Sequence, residues 1–250
     1  LEDPAGKPFA QSFFPPAAAV VGGGPSTALR MARYAAEAGP LARTAAGKAL
    51  AGCGVAAADV THLVTCSCTG FANPGVDLEL VRGLGLSADV SRTHVGFMGC
   101  HGAFNALRVA EAFATAHASA VVLVVCVELC SLHFQYGSRS DAVVANSIFA
   151  DGAAALVGVG ADHPLAGAAA WHLDRQWSRL LPESTAEMGW VIGDHGFEMS
   201  LSPRVPGIIR REIGALVSAA LADAGLDTAA IPAWAVHPGG PRVLANVRDA

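Results

Sequence analysis

The chain has 250 residues, 52% of them apolar and 15% charged, with a formal charge of −5. That length and apolar fraction can bury a real core, in one large domain or two tightly joined halves, and they exclude a disordered segment. No basic run argues for nucleic acid, and the longest unbroken apolar run, Ala120 to Val127, is far short of the ~20 residues that a membrane-spanning helix needs.

In chain order, the first ~25 residues, with Pro4, Pro8, Pro15, Pro16 and Pro25, read as irregular. Ser26 or Thr27 then caps a long helix ending near Gly54, with Leu29, Ala32 and Ala36, then Leu41, Ala45 and Ala49, as its apolar face. His62 to Cys68 reads as a buried strand, Val76 to Leu84 as a short helix after the Asn73-Pro74-Gly75 turn, and Thr93 to Val95 as a brief strand. A helix follows from Cys100 to about Ala118. Ala120 to Glu128 is the strongest strand signal, a run of the kind found in sheets covered on both faces, and Ala153 to Val159 is a further strand after an Asp151-Gly152 turn. Strand, helix, strand in this order indicates crossover units of an α/β protein. The pattern then restarts: strands at Ala168 to Leu173 and Phe197 to Leu201, a helix opened by Pro206 with Ile209, Ile213, Leu216, Val217 and Leu221 on one stripe, a strand at Ala233 to His237, and a last helix after Pro241. The restart predicts two similar halves, 1–165 and 166–250.

Six cysteines without a Cys-x-x-Cys pair make neither a disulfide scaffold nor a zinc site, and five of them read as reduced, mostly buried thiols. No charged-then-apolar leader is seen, which reads as cytoplasmic. The chain opens on Leu1 and stops at Ala250 within a helical pattern, so it reads as incomplete at both ends.

Two residues carry the chemistry. Cys100 sits in Gly96-Phe-Met-Gly99-Cys100-His-Gly102, where a strand gives way to a helix. There a macrodipole would favour the thiolate, the form that attacks carbonyls. His237, followed by Pro238-Gly239-Gly240-Pro241, stands at the carboxyl end of an expected strand, where catalytic groups of α/β sheets gather. Such an imidazole can take the thiol proton and hydrogen-bond a substrate oxygen. Spacing alone leaves the alternatives open: a core cysteine at a tight turn, and a histidine that ties a turn down. Asn73 and Asp151 read most simply as turn residues, and Asn246 as a surface residue of the last helix.

Those motifs, with Met98-Gly99-Cys100, Val121 to Glu128, Phe149-Ala-Asp151-Gly152, Arg204-Val-Pro206-Gly207 and His237-Pro-Gly-Gly-Pro241, resemble the type III polyketide synthases, the chalcone-synthase-like enzymes of the thiolase superfamily, in their bacterial form. The resemblance implies an α/β thiolase-like fold in αβαβα layers, built as a homodimer. It implies an acyltransferase that loads an acyl-CoA starter on Cys100, condenses malonyl-CoA onto it by decarboxylative Claisen chemistry with His237 as partner, and cyclises the product. CoA thioesters would be substrates, with no metal and no bound cofactor. Phe149 and Met199 would stand at the gate between CoA tunnel and cavity. Trp190, Cys68, Thr69, Asn73 and His133 would line the cavity or its dimer wall, and Gly239 and Gly240 would shape the substrate side of the histidine loop. The family's asparagine after the histidine motif would fall beyond Ala250, since Asn246 is too near His237. The alternatives are a ketoacyl-ACP synthase III-like acyltransferase and a non-catalytic thiolase-like dimerisation or binding protein.

Overall fold

A computed structural model describes residues 13–20 and 22–250; the prolines at 4 and 8 lie outside the described residues. The described residues separate into two compact units, the first within 13–138, 150–170 and 192–197, the second within 139–149, 171–191 and 198–250.

The first unit is built on a mixed sheet of β1 (His62–Ser67), β2 (Ser91–Gly96), β3 (Val121–Leu129) and β4 (Asp151–Val159), in the order β2-β1-β3-β4. β2, β1 and β3 run parallel and β4 returns antiparallel to β3. Helices α1 (Thr27–Cys53) and α2 (Val76–Leu84) cover one face and α3 (Gly102–Ala116) the other. The unbroken apolar run of β3 follows from this sandwich: Val121, Leu123, Val125 and Val127 pack toward α1, while Val122 and Val124 pack toward α3.

Helix α1 begins where expected, with the Ser26 hydroxyl accepting from the Leu29 amide at 3.4 Å. It buries a different face from the expected one, namely Tyr34, Ala38, Ala42, Ala46 and Leu50, while Leu29 is exposed. Alanine lies all around this helix, so periodicity alone does not fix a face. The ring of Tyr34 and the run of alanines at every fourth position do, by letting the helix lie close on the sheet.

The second unit contains α4 (Ser140–Ile148), most of the hairpin β5 (Met188–Gly193) and β6 (Gly196–Leu201), α5 (Val205–Asp223) and α6 (Pro241–Arg248). Asn246 is not a free surface residue: its amide donates to the Pro206 carbonyl at 2.8 Å and ties α6 to α5. Two expected strands do not form. Residues 168–173 are a short 3-10 turn followed by irregular chain, and 233–237 are irregular. The second run is five residues held between Pro232 and Pro238, which offer no amide to a ladder. Asp151 also differs from expectation, since it opens β4 and its carboxylate accepts from the Ser131 amide at 2.8 Å and the Ser131 hydroxyl at 2.6 Å. No helix among the described residues is long and apolar enough to cross a membrane.

Candidate active site

In the first unit, the step from β2 into α3 is a sharp reversal. Phe97 and Gly99 both adopt left-handed backbone, with φ of 55° and 64°. Glycine takes that conformation freely; a phenylalanine pays for it and needs packing to hold it there. Phe97 is held by Phe71, stacked at 5.3 Å between centroids, and by the edge of Phe197 at 5.8 Å. A strained residue clamped in this way beside a nucleophile fits the tendency of strain to gather at functional sites. Cys100 sits in the 3-10 turn Gly99–His101, and α3 proper starts only at Gly102.

The electrostatics differ from the macrodipole expectation. Desolvation by the surrounding chain, and then the Glu128 carboxylate, push the Cys100 thiol above its ordinary value, even though the residue as a whole is exposed. Short 3-10 geometry brings little aligned dipole to bear, while a half-buried acid acts directly.

Glu128, near the carboxyl end of β3, is the residue that sequence reasoning passed over as a strand boundary. Its carboxylate accepts from the Cys68 amide at 2.9 and 3.0 Å and from the Thr69 hydroxyl at 2.6 Å, and burial pushes its own pKa up. The same hydroxyl accepts from the Leu129 amide at 2.8 Å. The signal in the sequence was a charge ending an otherwise unbroken apolar strand. Cys68 is buried, with its sulfur 3.8 Å from the Gly99 carbonyl, so it lies against the nucleophile turn. Burial and Glu128 also raise the thiols of Cys68 and Cys130, the latter to about 12. Of the remaining cysteines expected to be mostly buried, Cys53 is exposed.

His133 is 4% exposed, and both its ring nitrogens are engaged. Nε2 lies 2.6 Å from the Thr69 carbonyl, Nδ1 accepts from the Phe197 amide at 3.0 Å, and the ring stacks on Phe197 at 4.1 Å. It thus secures the wall behind Thr69. Asn73 is exposed on the loop before α2. The first unit therefore brings Cys100, Cys68, Thr69 and His133 together around the carboxyl ends of β1 and β3, with Asn73 on the adjoining loop.

In the second unit, Phe149 ends α4, its amide donating to the Ala145 carbonyl at 3.0 Å. A Cβ placed on Gly240 would meet the preceding Ile148 at 3.7 Å, so the histidine loop and the end of α4 are neighbours. His237 is exposed, and its carbonyl accepts from the Gly239 amide at 2.9 Å; Gly240, with φ of 118°, caps α6. In the β5–β6 hairpin a Cβ on Gly189 would lie 2.7 Å from the Ser200 hydroxyl, which sets Trp190 opposite Met199. Both are half-buried. No group of three His, Cys, Asp or Glu side chains among the described residues is placed to hold a metal ion.

Comparison with known proteins places these residues in context. The family profile for chalcone and stilbene synthases, N-terminal domain, matches residues 17–163, and that for the C-terminal domain matches 172–250. The alpha-pyrone synthesis polyketide synthase-like Pks18 of Mycobacterium tuberculosis is 39% identical over 219 residues, covering 86% of this chain and 55% of its own length. The 1,3,6,8-tetrahydroxynaphthalene synthase of Streptomyces peucetius is 37% identical over 210 residues, covering 84% of this chain and 56% of its own length. Among solved structures, 1,3,6,8-tetrahydroxynaphthalene synthase of Streptomyces coelicolor superposes with a TM-score of 0.81 at 28% identity, over 89% of this chain and 63% of that one. PKS-I of the brown alga Ectocarpus siliculosus superposes at 0.82 with 30% identity, over 93% and 64%. The chain thus spans just over half the length of these sequence relatives.

Proposed function

We propose, for a chain that belongs to the chalcone and stilbene synthase family with its thiolase-like fold and is of the bacterial type III polyketide synthase kind, the reaction by which Cys100 and His237 build a polyketide from CoA thioesters. The Cys100 thiolate attacks the carbonyl of an acyl-CoA starter, and the CoA thiol leaves. Malonyl-CoA then loses CO2, and the resulting enolate attacks the acyl-cysteine. A carbon–carbon bond forms and the cysteine sulfur departs. Repetition and ring closure complete the product.

His237 takes the thiol proton and then hydrogen-bonds the thioester oxygen, where negative charge builds as CO2 departs. Phe149 and Met199 flank the entrance from the CoA side, and Trp190 narrows the cavity next to Met199. Cys68, Thr69, Asn73 and His133 form or brace its far wall, while Gly239 and Gly240 keep the histidine loop free of side chains on the substrate side. The division of labour is a nucleophile half, 1–165, and a histidine half, 166–250. The working form is a cytoplasmic homodimer, with acyl-CoA and malonyl-CoA as partners and no resident cofactor.

The observation that carries this reading is Cys100 on a left-handed turn between β2 and α3, backed by Glu128, Cys68 and Thr69. The test is intact mass after incubation with acyl-CoA and malonyl-CoA. An acyl adduct forms on Cys100 and is absent from Cys100→Ala, and His237→Ala lowers CO2 release by about a hundredfold or more. A protein that takes no acyl group from any CoA thioester overturns the reading.

A further inference from the structure

Two more thiols lie on the sheet face that α3 covers, one of them against the first residue of that helix. Cys66 on β1 and Cys126 on β3 are register partners in a parallel pair, so both side chains leave the sheet on the α3 face. Neighbouring strands lie ~4.8 Å apart, within the Cα separation that a disulfide bridges. The two thiols act on each other, and this raises Cys66 and lowers Cys126, favouring the thiolate at Cys126. Cys66 is 3% exposed and Cys126 half-buried, so a small oxidant reaches the second sulfur first.

The Cys66 sulfur has a second neighbour. A Cβ on Gly102, the first residue of α3, would lie 2.7 Å from it. Only glycine lets the helix rest on that sulfur, two residues beyond Cys100.

We propose that Cys66 and Cys126 form an oxidisable dithiol, closed to a disulfide by a hydroperoxide, whose closure withdraws the support beneath the Cys100 turn. The Cys126 thiolate attacks the peroxide O–O bond, giving a sulfenic acid and an alcohol or water. The Cys66 sulfur then attacks the sulfenic sulfur. The S–S bond forms, the S–O bond breaks, the Cys66 proton is lost, and water leaves. Two thiols are oxidised and one hydroperoxide is reduced. Bonding draws the Cys66 sulfur toward Cys126 and away from Gly102, and a thiol-disulfide reductant reverses it.

The test treats the protein with hydrogen peroxide and reads two things: a non-reducing peptide map and the rate of Cys100 alkylation by iodoacetamide. The peptide of Cys66 becomes cross-linked to that of Cys126, and Cys100 alkylation slows by about fivefold or more, as expected when a thiol's surroundings are rearranged. Dithiothreitol restores both. In Cys126→Ala, or in Cys126→Val where the smaller residue fails to fold, the cross-link is absent and peroxide leaves the alkylation rate unchanged. Free Cys66 and Cys126 after oxidation elsewhere in the chain, a cross-link from Cys100 to Cys68 or Cys130, or slowing that persists without Cys126 overturns the proposal. Both readouts are thiol chemistry, so a protein that makes no polyketide still passes or fails them.

Discussion

Glu128 and His133 brace the same short stretch of chain, Cys68-Thr69, from opposite sides, one with a carboxylate and the other with a ring. Their protonation works in opposite directions. Burial holds Glu128 above the ordinary carboxylate value, so its charge at neutral pH is a cost to the fold that hydrogen bonds from the Cys68 amide and the Thr69 hydroxyl offset only in part. Burial, with a smaller push from the Arg30 charge, holds His133 down to about 4, and an unprotonated Nδ1 is what accepts from the Phe197 amide. An unfolded histidine titrates near 6.5, so the unfolded chain binds the extra proton first. The His133 contribution is therefore fully present above about pH 6.5 and is lost as pH falls through about 4, roughly 3 kcal/mol in all. His133→Phe keeps the stack on Phe197 but removes the hydrogen bonds to the Thr69 carbonyl and from the Phe197 amide. Chemical denaturation at pH 7.5 registers a loss of about 2–3 kcal/mol. The variant's stability between pH 6.5 and 4 falls less steeply than that of the parent.

At the scale of elements, the first unit depends on how closely α1 lies against the end of β1. A Cβ on Gly70 would come within 2.1 Å of the Tyr34 ring, and the Tyr34 hydroxyl donates to the Ser67 hydroxyl at 2.7 Å. Gly70→Ala therefore drives the ring off its seat, with a loss of about 3 kcal/mol in thermal or chemical unfolding, whereas Gly52→Ala, with open space around it, leaves stability nearly unchanged. Such contacts decide what could be read from the sequence. β3 and α2 stand out because their patterns are local: an unbroken apolar run, and a helix between a Pro-Gly turn and a glycine. α4 escaped notice because Ser-Asp-Ala-Val-Val-Ala-Asn-Ser-Ile has no apolar period and no side-chain cap. β5 escaped because glycines interrupt it at both ends. The buried face of α1 was misread because an alanine-rich helix acquires its inner side only from the sheet it meets.

For the whole molecule, the proposed site rests on two motifs that stand out in the sequence, while its electrostatics do not. The glycine-flanked Cys100 and the His237-Pro-Gly-Gly-Pro loop stand out locally, while Glu128 acts on the thiol from another strand and only folding brings it there. That hidden group has a consequence for catalysis. Burial and Glu128 favour the protonated thiol at Cys100, against a backbone hydrogen bond that favours the anion, so the proposed reaction calls for a base. The imidazole of His237 is the one assigned that part. The rate of Cys100 alkylation against pH measures it directly, because only the thiolate reacts. If His237 acts as that base, the midpoint in the parent lies below that in His237→Ala. In the variant the midpoint moves further up and the rate at pH 7 drops by about tenfold or more. Coincident midpoints in the parent and the variant mean that His237 does not act on this sulfur.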